Sequence, residues 1–154
     1  LSYNTTDRQK KIAEALQDQW KKGLGIEVRL QNKEFKVHQQ DLHELNFEIG
    51  RIGWSADFND PINYMEMYRD KDGGNNDTGW ENARYKQLIR QAAAELDPEK
   101  RKQMFAEAEQ IIMDEMPVIP MFTDVDVWVQ NDKVKGVQVD PLGFIDLKWA
   151  EIVK

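Results

Sequence analysis

Within residues 1–30 the apolar spacing passes from alternation to a helical stripe and back to alternation, and this succession of periods narrows the possible folds more than any other feature. Leu1 to Asn4 is short and alternates. Thr5, Thr6 and Asp7 supply N-cap candidates for a helix whose stripe is Ile12, Ala13, Leu16, Gln19 and Trp20, and Gly23 and Gly25 end it. Ile26, Val28 and Leu30 then alternate with Glu27, Arg29 and Gln31, the pattern of a half-buried strand. Strand, helix and strand in this order form a right-handed crossover between parallel strands, so an α/β layer is expected.

Further elements follow from the same rules. A weaker helix is expected from about Glu34 to Glu44, with Phe35, His38, Leu42 and Leu45 facing inward, and Phe47, Ile49 and Ile52 read as a third strand. Asp60 is placed to cap a short helix that starts at Pro61 and carries Ile62, Met65 and Tyr68. Arg69 to Gly79 is dense in turn formers and reads as a loop. Two helices come next, about Glu81 to Leu96 and Pro98 to Glu115, divided by the cap pair Asp97-Pro98. Their stripes, Tyr85, Leu88, Ile89 and Ala92 on one and Met104, Phe105, Ala108, Ile111 and Ile112 on the other, suit an antiparallel pair. Trp20, Tyr85 and Phe105 sit at core spacing. Met116 to Phe122 is apolar with two prolines, which fits a crossing segment or an edge. Val125, Val127 and Val129 alternate with Asp124, Asp126 and Trp128 as a strand, and Val134 to Val139 follows a turn at Asn131-Asp132. This β-rich tail has no obvious partner in the helical middle and is expected in a different lobe.

Composition removes several classes of function. The chain has 154 residues, a net charge of -7 and no cysteine, which excludes a disulfide scaffold and a thiolate metal site. Asp plus Glu outnumber Lys plus Arg by 28 to 21, so affinity through phosphate neutralisation is disfavoured and no nucleic acid partner is expected. No apolar run reaches the length of a membrane span. The chain opens at Leu1 with neither an initiator Met nor a signal-like segment, so it is expected to begin inside something larger.

Chemistry is scarce. The two histidines, His38 and His43, are five apart and not at the i, i+4 spacing of a zincin, and they read as solvated. Gly53-Trp54-Ser55-Ala56-Asp57 lacks the second glycine of a nucleophile elbow. Asp70, Asp72 and Glu81 match three positions of a calcium loop, but Gly74 and Asn75 occupy positions that need an oxygen ligand and a glycine. No catalytic residue, metal or cofactor is therefore expected. The segment Arg51 to Pro61 stands apart. It gathers a cation, an aromatic, a hydroxyl and two acids after an expected strand and before a capped helix, where open α/β sheets bind ligands. Asp60 reads as a cap. For Asp57 and Trp54 the residues alone leave capping or core packing open beside ligand contact.

Gly53-Trp54-Ser55-Ala56-Asp57-Phe58-Asn59-Asp60-Pro61 resembles the G-W-x-A-D-Y-x-D/E-P signature of the oligopeptide-binding proteins of ABC importers, the family 5 extracellular solute-binding proteins. Leu1 to Thr5, Trp20 to Ile26, Asn32 to Lys36 and Glu107 to Gln110 also look like their counterparts, in the same order. The resemblance covers essentially the whole chain and corresponds to the C-terminal part of such proteins.

It implies part of a type II periplasmic-binding-protein-like lobe, with a β-α-β unit, a helix pair and a β-rich tail. Residues 1–116 would be a partial ligand-binding lobe, and residues 117–154 would cross the hinge and return to the other lobe. It further implies oligopeptide capture between two lobes without catalysis. The partners would be the peptide, ABC permease subunits and the remaining lobes, and the location extracytoplasmic, in the periplasm or on a lipid anchor. Asp57 would pair with the peptide's α-amino group, Trp54 and Ser55 would flank the peptide, Arg51 would meet a carboxylate of a short ligand, and Phe35 would wall a side-chain pocket. The chain departs from the best-known members at Leu42, near where they carry arginine, and at Asp124, where they carry a pocket tyrosine. Relatives that take dipeptides, nickel chelates, haem or sugars are the nearest alternative, and a hydrolase or a free-standing interaction module the more distant ones.

Overall fold

Thr6 caps the first helix through its side chain: Oγ1 accepts from the Gln9 N–H at 3.1 Å, and α1 runs from Asp7 to Leu24. The structure, a computed structural model, describes residues 1–153. Two compact units divide them, Leu1–Trp54 with Met67–Lys86, and Ser55–Glu66 with the residues from Gln87 on.

In the first unit β1 (Ser2–Asn4) precedes α1, and β2 (Gln31–Lys33) follows it. The strands pair in parallel, Ser2 opposite Gln31 and Asn4 opposite Lys33. The expected β-α-β unit is present, but its second strand lies beyond Ile26–Leu30. The cause is geometric. The 18 residues of α1 rise about 27 Å, far more than the three residues of β1 span, so the chain must run back over the excess before it can lie beside β1. Residues 26–30 are that return path. Val28 and Leu30 pack with Ile12 and Trp20 around buried Leu1, Tyr3, Ala13 and Leu16. The Val28 carbonyl accepts from Gln17 Nε2 at 2.6 Å, and Ile26 is exposed. The alternation thus reports one-sided packing on a helix and not a ladder.

Glu34 caps α2 (Phe35–His43), its Oε2 accepting from the Lys36 N–H at 2.9 Å and the Val37 N–H at 3.4 Å. His38 and Leu42 are buried, while Phe35 and Leu45 are exposed, so the inner face is narrower than the stripe suggests. Phe47 to Ile52 does not form a third strand. It makes one parallel bridge, Gly50 beside Ser2, with the Ser2 N–H on Ile49 O at 2.8 Å and the Arg51 N–H on Ser2 O at 2.9 Å. Ile49 and Ile52 are both exposed, and so no buried face supports a longer ladder. A Cβ on Gly50 would overlap Leu42 Cδ2, which explains glycine where the backbone crosses α2.

Asp70 and Asn76 organise the loop after Met67. Asn76 is buried, donates from Nδ2 to Asp70 O at 3.1 Å and Trp80 O at 3.0 Å, and accepts from Thr78 Oγ1 at 2.7 Å. The Asp70 carboxylate meets Lys86 Nζ at 2.6 Å and Arg69 Nε at 2.7 Å, and these cations hold it at about 2. Its oxygens are committed to ion pairs, which accounts for an acidic loop that only partly fits a calcium template.

In the second unit a short helix, α3 (Ile62–Met65), leads into a 3₁₀ turn at Glu66–Tyr68, whose last two residues belong to the first unit. Of the two later helices, α4 (Ala83–Ala94) begins in the first unit and enters the second at Gln87, and α5 (Pro98–Glu115) is capped by Asp97 Oδ1 on the Glu99 N–H at 3.0 Å. The predicted stripes are found: Tyr85, Leu88, Ile89 and Ala92 are buried, as are Ala108 and Ile112, with Met104, Phe105 and Ile111 half-buried.

The tail is less regular than its alternation implies. β3 (Val134–Lys135), β4 (Gln138–Val139), β5 (Ile145–Asp146) and β6 (Glu151–Ile152) pair antiparallel, β3 with β6 and β4 with β5. Gly136, at φ 75°, breaks the run Val134–Val139 where a Cβ would overlap Trp149 O. Val125, Val127 and Val129 form no strand and are 80%, 87% and 95% exposed. A strand needs a pairing partner and a face to bury, and neither exists for them among the described residues. None of the described helices is long and apolar enough to cross a membrane.

Candidate functional site

The segment Arg51 to Pro61 is built from both sides, and its supports lie in different units. Arg51 stands on the first. Its N–H donates to Ser2 O at 2.9 Å, and its carbonyl accepts from His38 Nε2 at 2.8 Å. A carbonyl can only accept, so Nε2 carries a proton, and in the neutral ring Nδ1 accepts from Ser2 Oγ at 3.1 Å. His38 is thus a buried clamp between β1, α2 and the Arg51 backbone, which corrects its reading as a solvated residue: it sits on the inner face of α2 between the Ser2 hydroxyl and the Arg51 carbonyl. His43 is exposed and meets Asp77 Oδ1 at 2.6 Å.

Phe35, at the first position of α2, and Trp54, at the end of the first unit, are 52% and 37% exposed. Both present apolar surface to solvent, unlike the buried residues on the stripes of α1 and α4. Leu42 is buried against Gly50. Asp124 is exposed in the tail.

Ser55 and Asp57 belong to the second unit, and both are exposed. Asp57 is nevertheless fixed. Its N–H donates to Asn63 Oδ1 at 3.0 Å, and its Oδ2 lies 3.4 Å from Asn63 Nδ2. Asn63 is on α3 and 5% exposed.

A third residue carries α3. Asp60 Oδ1 accepts from the Ile62 N–H at 2.9 Å, the capping role expected of it. The same carboxylate also takes a two-pronged bond from Arg101, Nη1 to Oδ2 at 2.7 Å and Nη2 to Oδ1 at 2.8 Å. Arg101 Nε donates to Ala92 O at 3.0 Å, and its guanidinium lies 4.8 Å from the centre of the Phe105 ring. The Arg101 guanidinium holds the Asp60 carboxyl below the usual carboxylate range. Neither Asn63 nor Arg101 stands out in the sequence. An Asn two residues after a proline signals only a turn, and Arg101 is one cation among several on α5.

In the second unit Asp57 offers a fixed, exposed carboxylate and Ser55 an exposed hydroxyl, and in the first unit Phe35 and Trp54 offer exposed aromatic surface. A carboxylate of this kind suits recognition of an ammonium group.

Residues 1–76 match the family model described as bacterial extracellular solute-binding proteins, family 5 Middle. Over 150 residues, 97% of this chain, the sequence is 53% identical to the oligopeptide-binding protein OppA of Bacillus subtilis (strain 168). It is 40% identical over 98% of its length to the dipeptide-binding protein DppE of the same strain. The chain spans 28% of each of these two curated relatives. The crystal structure of Haemophilus influenzae OppA in complex with RPPGFSPFR superposes with a TM-score of 0.84 at 30% identity, covering 99% of this chain and 30% of that one. The fold is the mixed α/β type of these type II periplasmic binding proteins.

Proposed function

This chain belongs to the bacterial extracellular solute-binding proteins of family 5, and on that premise we propose that the protein containing it captures oligopeptides for an ABC importer. The observation that carries the reading is the likeness, over nearly the whole chain, to an oligopeptide-binding protein. Peptide would be held by closure of two lobes outside the cytoplasm and passed to permease subunits, with no bond made or broken. Residues 1–116 would form part of the ligand-binding lobe, and residues 117–154 would return to the other one. The exposed apolar side chains of Ile119, Phe122, Val127 and Trp149 support this, because burial against the rest of the protein would give them a core.

Asp57 is the ligand contact with the clearest chemistry. A peptide ammonium enclosed between lobes loses its water and needs a fixed carboxylate, and Asp57 is exposed yet braced. Trp54 and Phe35 would contribute apolar contact, Ser55 hydrogen bonds along the peptide, and Arg51 a cation for a carboxylate. The reading is tested by replacing Asp57 with Asn in the intact protein. Affinity for a free-amine peptide should fall by about 2 kcal/mol or more, roughly thirtyfold. Unchanged affinity by titration calorimetry overturns the role of Asp57. A dipeptide ligand is the second reading, favoured by the 40% identity to a dipeptide-binding protein. A length series from two to five alanines separates the two.

A further inference from the structure

We propose that Asn63 is the positioning residue for the carboxylate that receives the ligand's α-amino group, a role that rests on the reading of Asp57 above. An exposed aspartate on a loop ordinarily samples several rotamers. Asp57 is held at two points by one buried carboxamide, which accepts from its N–H at 3.0 Å and offers Nδ2 to its Oδ2 at 3.4 Å. The two contacts also fix which way the amide points. Turned over, Asn63 would set its oxygen against the carboxylate and its NH₂ against an N–H, two repulsive pairs in place of two bonds.

The brace is itself anchored. The Asn63 N–H donates to Asp60 O at 3.1 Å, and Asp60 caps α3 while it takes both prongs of Arg101. Of the Asp57 carboxylate, only Oδ2 is engaged, and Oδ1 has no hydrogen-bond or ion-pair partner among the described residues. One oxygen is therefore used to set the orientation and the other is presented. For a ligand with a free α-amino group this arrangement removes the rotamer cost of forming the ion pair, which is preorganisation in the strict sense. A ligand without that group gains nothing from it.

The experiment is a double-mutant cycle in the intact protein with Asp57→Asn and Asn63→Ala, read by calorimetry with tetra-alanine and its N-acetyl form. Asn63→Ala should weaken tetra-alanine by about tenfold, the order expected for losing a bond to a charged group. Binding of the acetylated peptide should not change. In the Asp57→Asn background, Asn63→Ala should cost nothing further. Equal losses for both peptides, or additive losses in the cycle, overturn the proposal and leave Asp57 in place. No effect of Asp57→Asn, or no binding of tetra-alanine to the unaltered protein, overturns the peptide-amine reading and the proposal with it. If Asn63→Ala does not fold, Asn63→Ser enters the same cycle, since its hydroxyl is too short to brace Oδ2.

Discussion

Removing the charge of Asp60 should loosen α3 locally, by an amount the structure allows to be worked out. The side chains of Asp60 and Arg101 are 30% and 26% exposed, so their pair is neither fully solvated nor buried. A pair of this kind with two parallel bonds belongs near the upper end of the surface range, about 1 kcal/mol. Asp60→Asn keeps an oxygen to cap the Ile62 N–H and loses only that term, while Asp60→Ala also loses the cap, a further 1 kcal/mol or so. Opening of α3 should therefore become about fivefold more frequent with Asn and about thirtyfold with Ala. Hydrogen exchange of the Asn63, Tyr64 and Met65 amides, bonded to the Asp60 and Pro61 carbonyls, reads this directly. The pH dependence has a definite sign. Asp60 titrates lower in the folded protein than its ordinary 3.8, so the pair is fully in force above that value and is lost as pH falls through the folded value. Unaltered protein and Asp60→Asn should differ at neutral pH and converge in acid. Exchange at neutral pH that is the same in all three proteins, or a gap that persists in strong acid, refutes the reasoning.

Two further substitutions probe the supports of the Arg51 side. Gly50→Ala drives a methyl into Leu42 Cδ2 and against Phe47, so it should destabilise by about 1–3 kcal/mol in denaturant titration, with recovery when Leu42 is shortened to Ala. His38→Leu leaves Ser2 Oγ and the Arg51 carbonyl without their buried partner and should cost about 2 kcal/mol by the same measurement.

Elements with local causes were readable from sequence. Thr6, Glu34 and Asp97 sit at or beside expected helix starts and bond the first-turn amides, and the stripe on α4 is buried as drawn. What failed depends on partners distant in sequence. Ile26–Leu30 and Val125–Val129 share the same alternation, yet the first packs on α1 and the second leaves its three valines exposed. Period two signals one-sided contact, and whether a strand results is decided by what lies alongside. His38 was hidden for a similar reason: its partners, Ser2 Oγ and the Arg51 carbonyl, lie 36 and 13 residues away, and one is a backbone atom.

The candidate site shows the same division between types of residue and what orients them. Its chemistry-bearing members, Arg51, Trp54, Ser55 and Asp57, could be named because they fall within seven residues of one another. Their supports could not, because Asn63 and Arg101 act through geometry that spacing does not encode. The chain boundary between the two units runs between Trp54 and Ser55, so the motif is one unit of sequence and two of structure. Arg51 takes its place from β1 and His38, whereas Asp57 takes its place from α3 and, through Asp60, from Arg101. A carboxylate supported in this way owes nothing to the clamp on Arg51. Loss of Asn63 should therefore be felt at the amine end of a ligand alone, and a ligand's response to that loss reports which of its groups Asp57 holds.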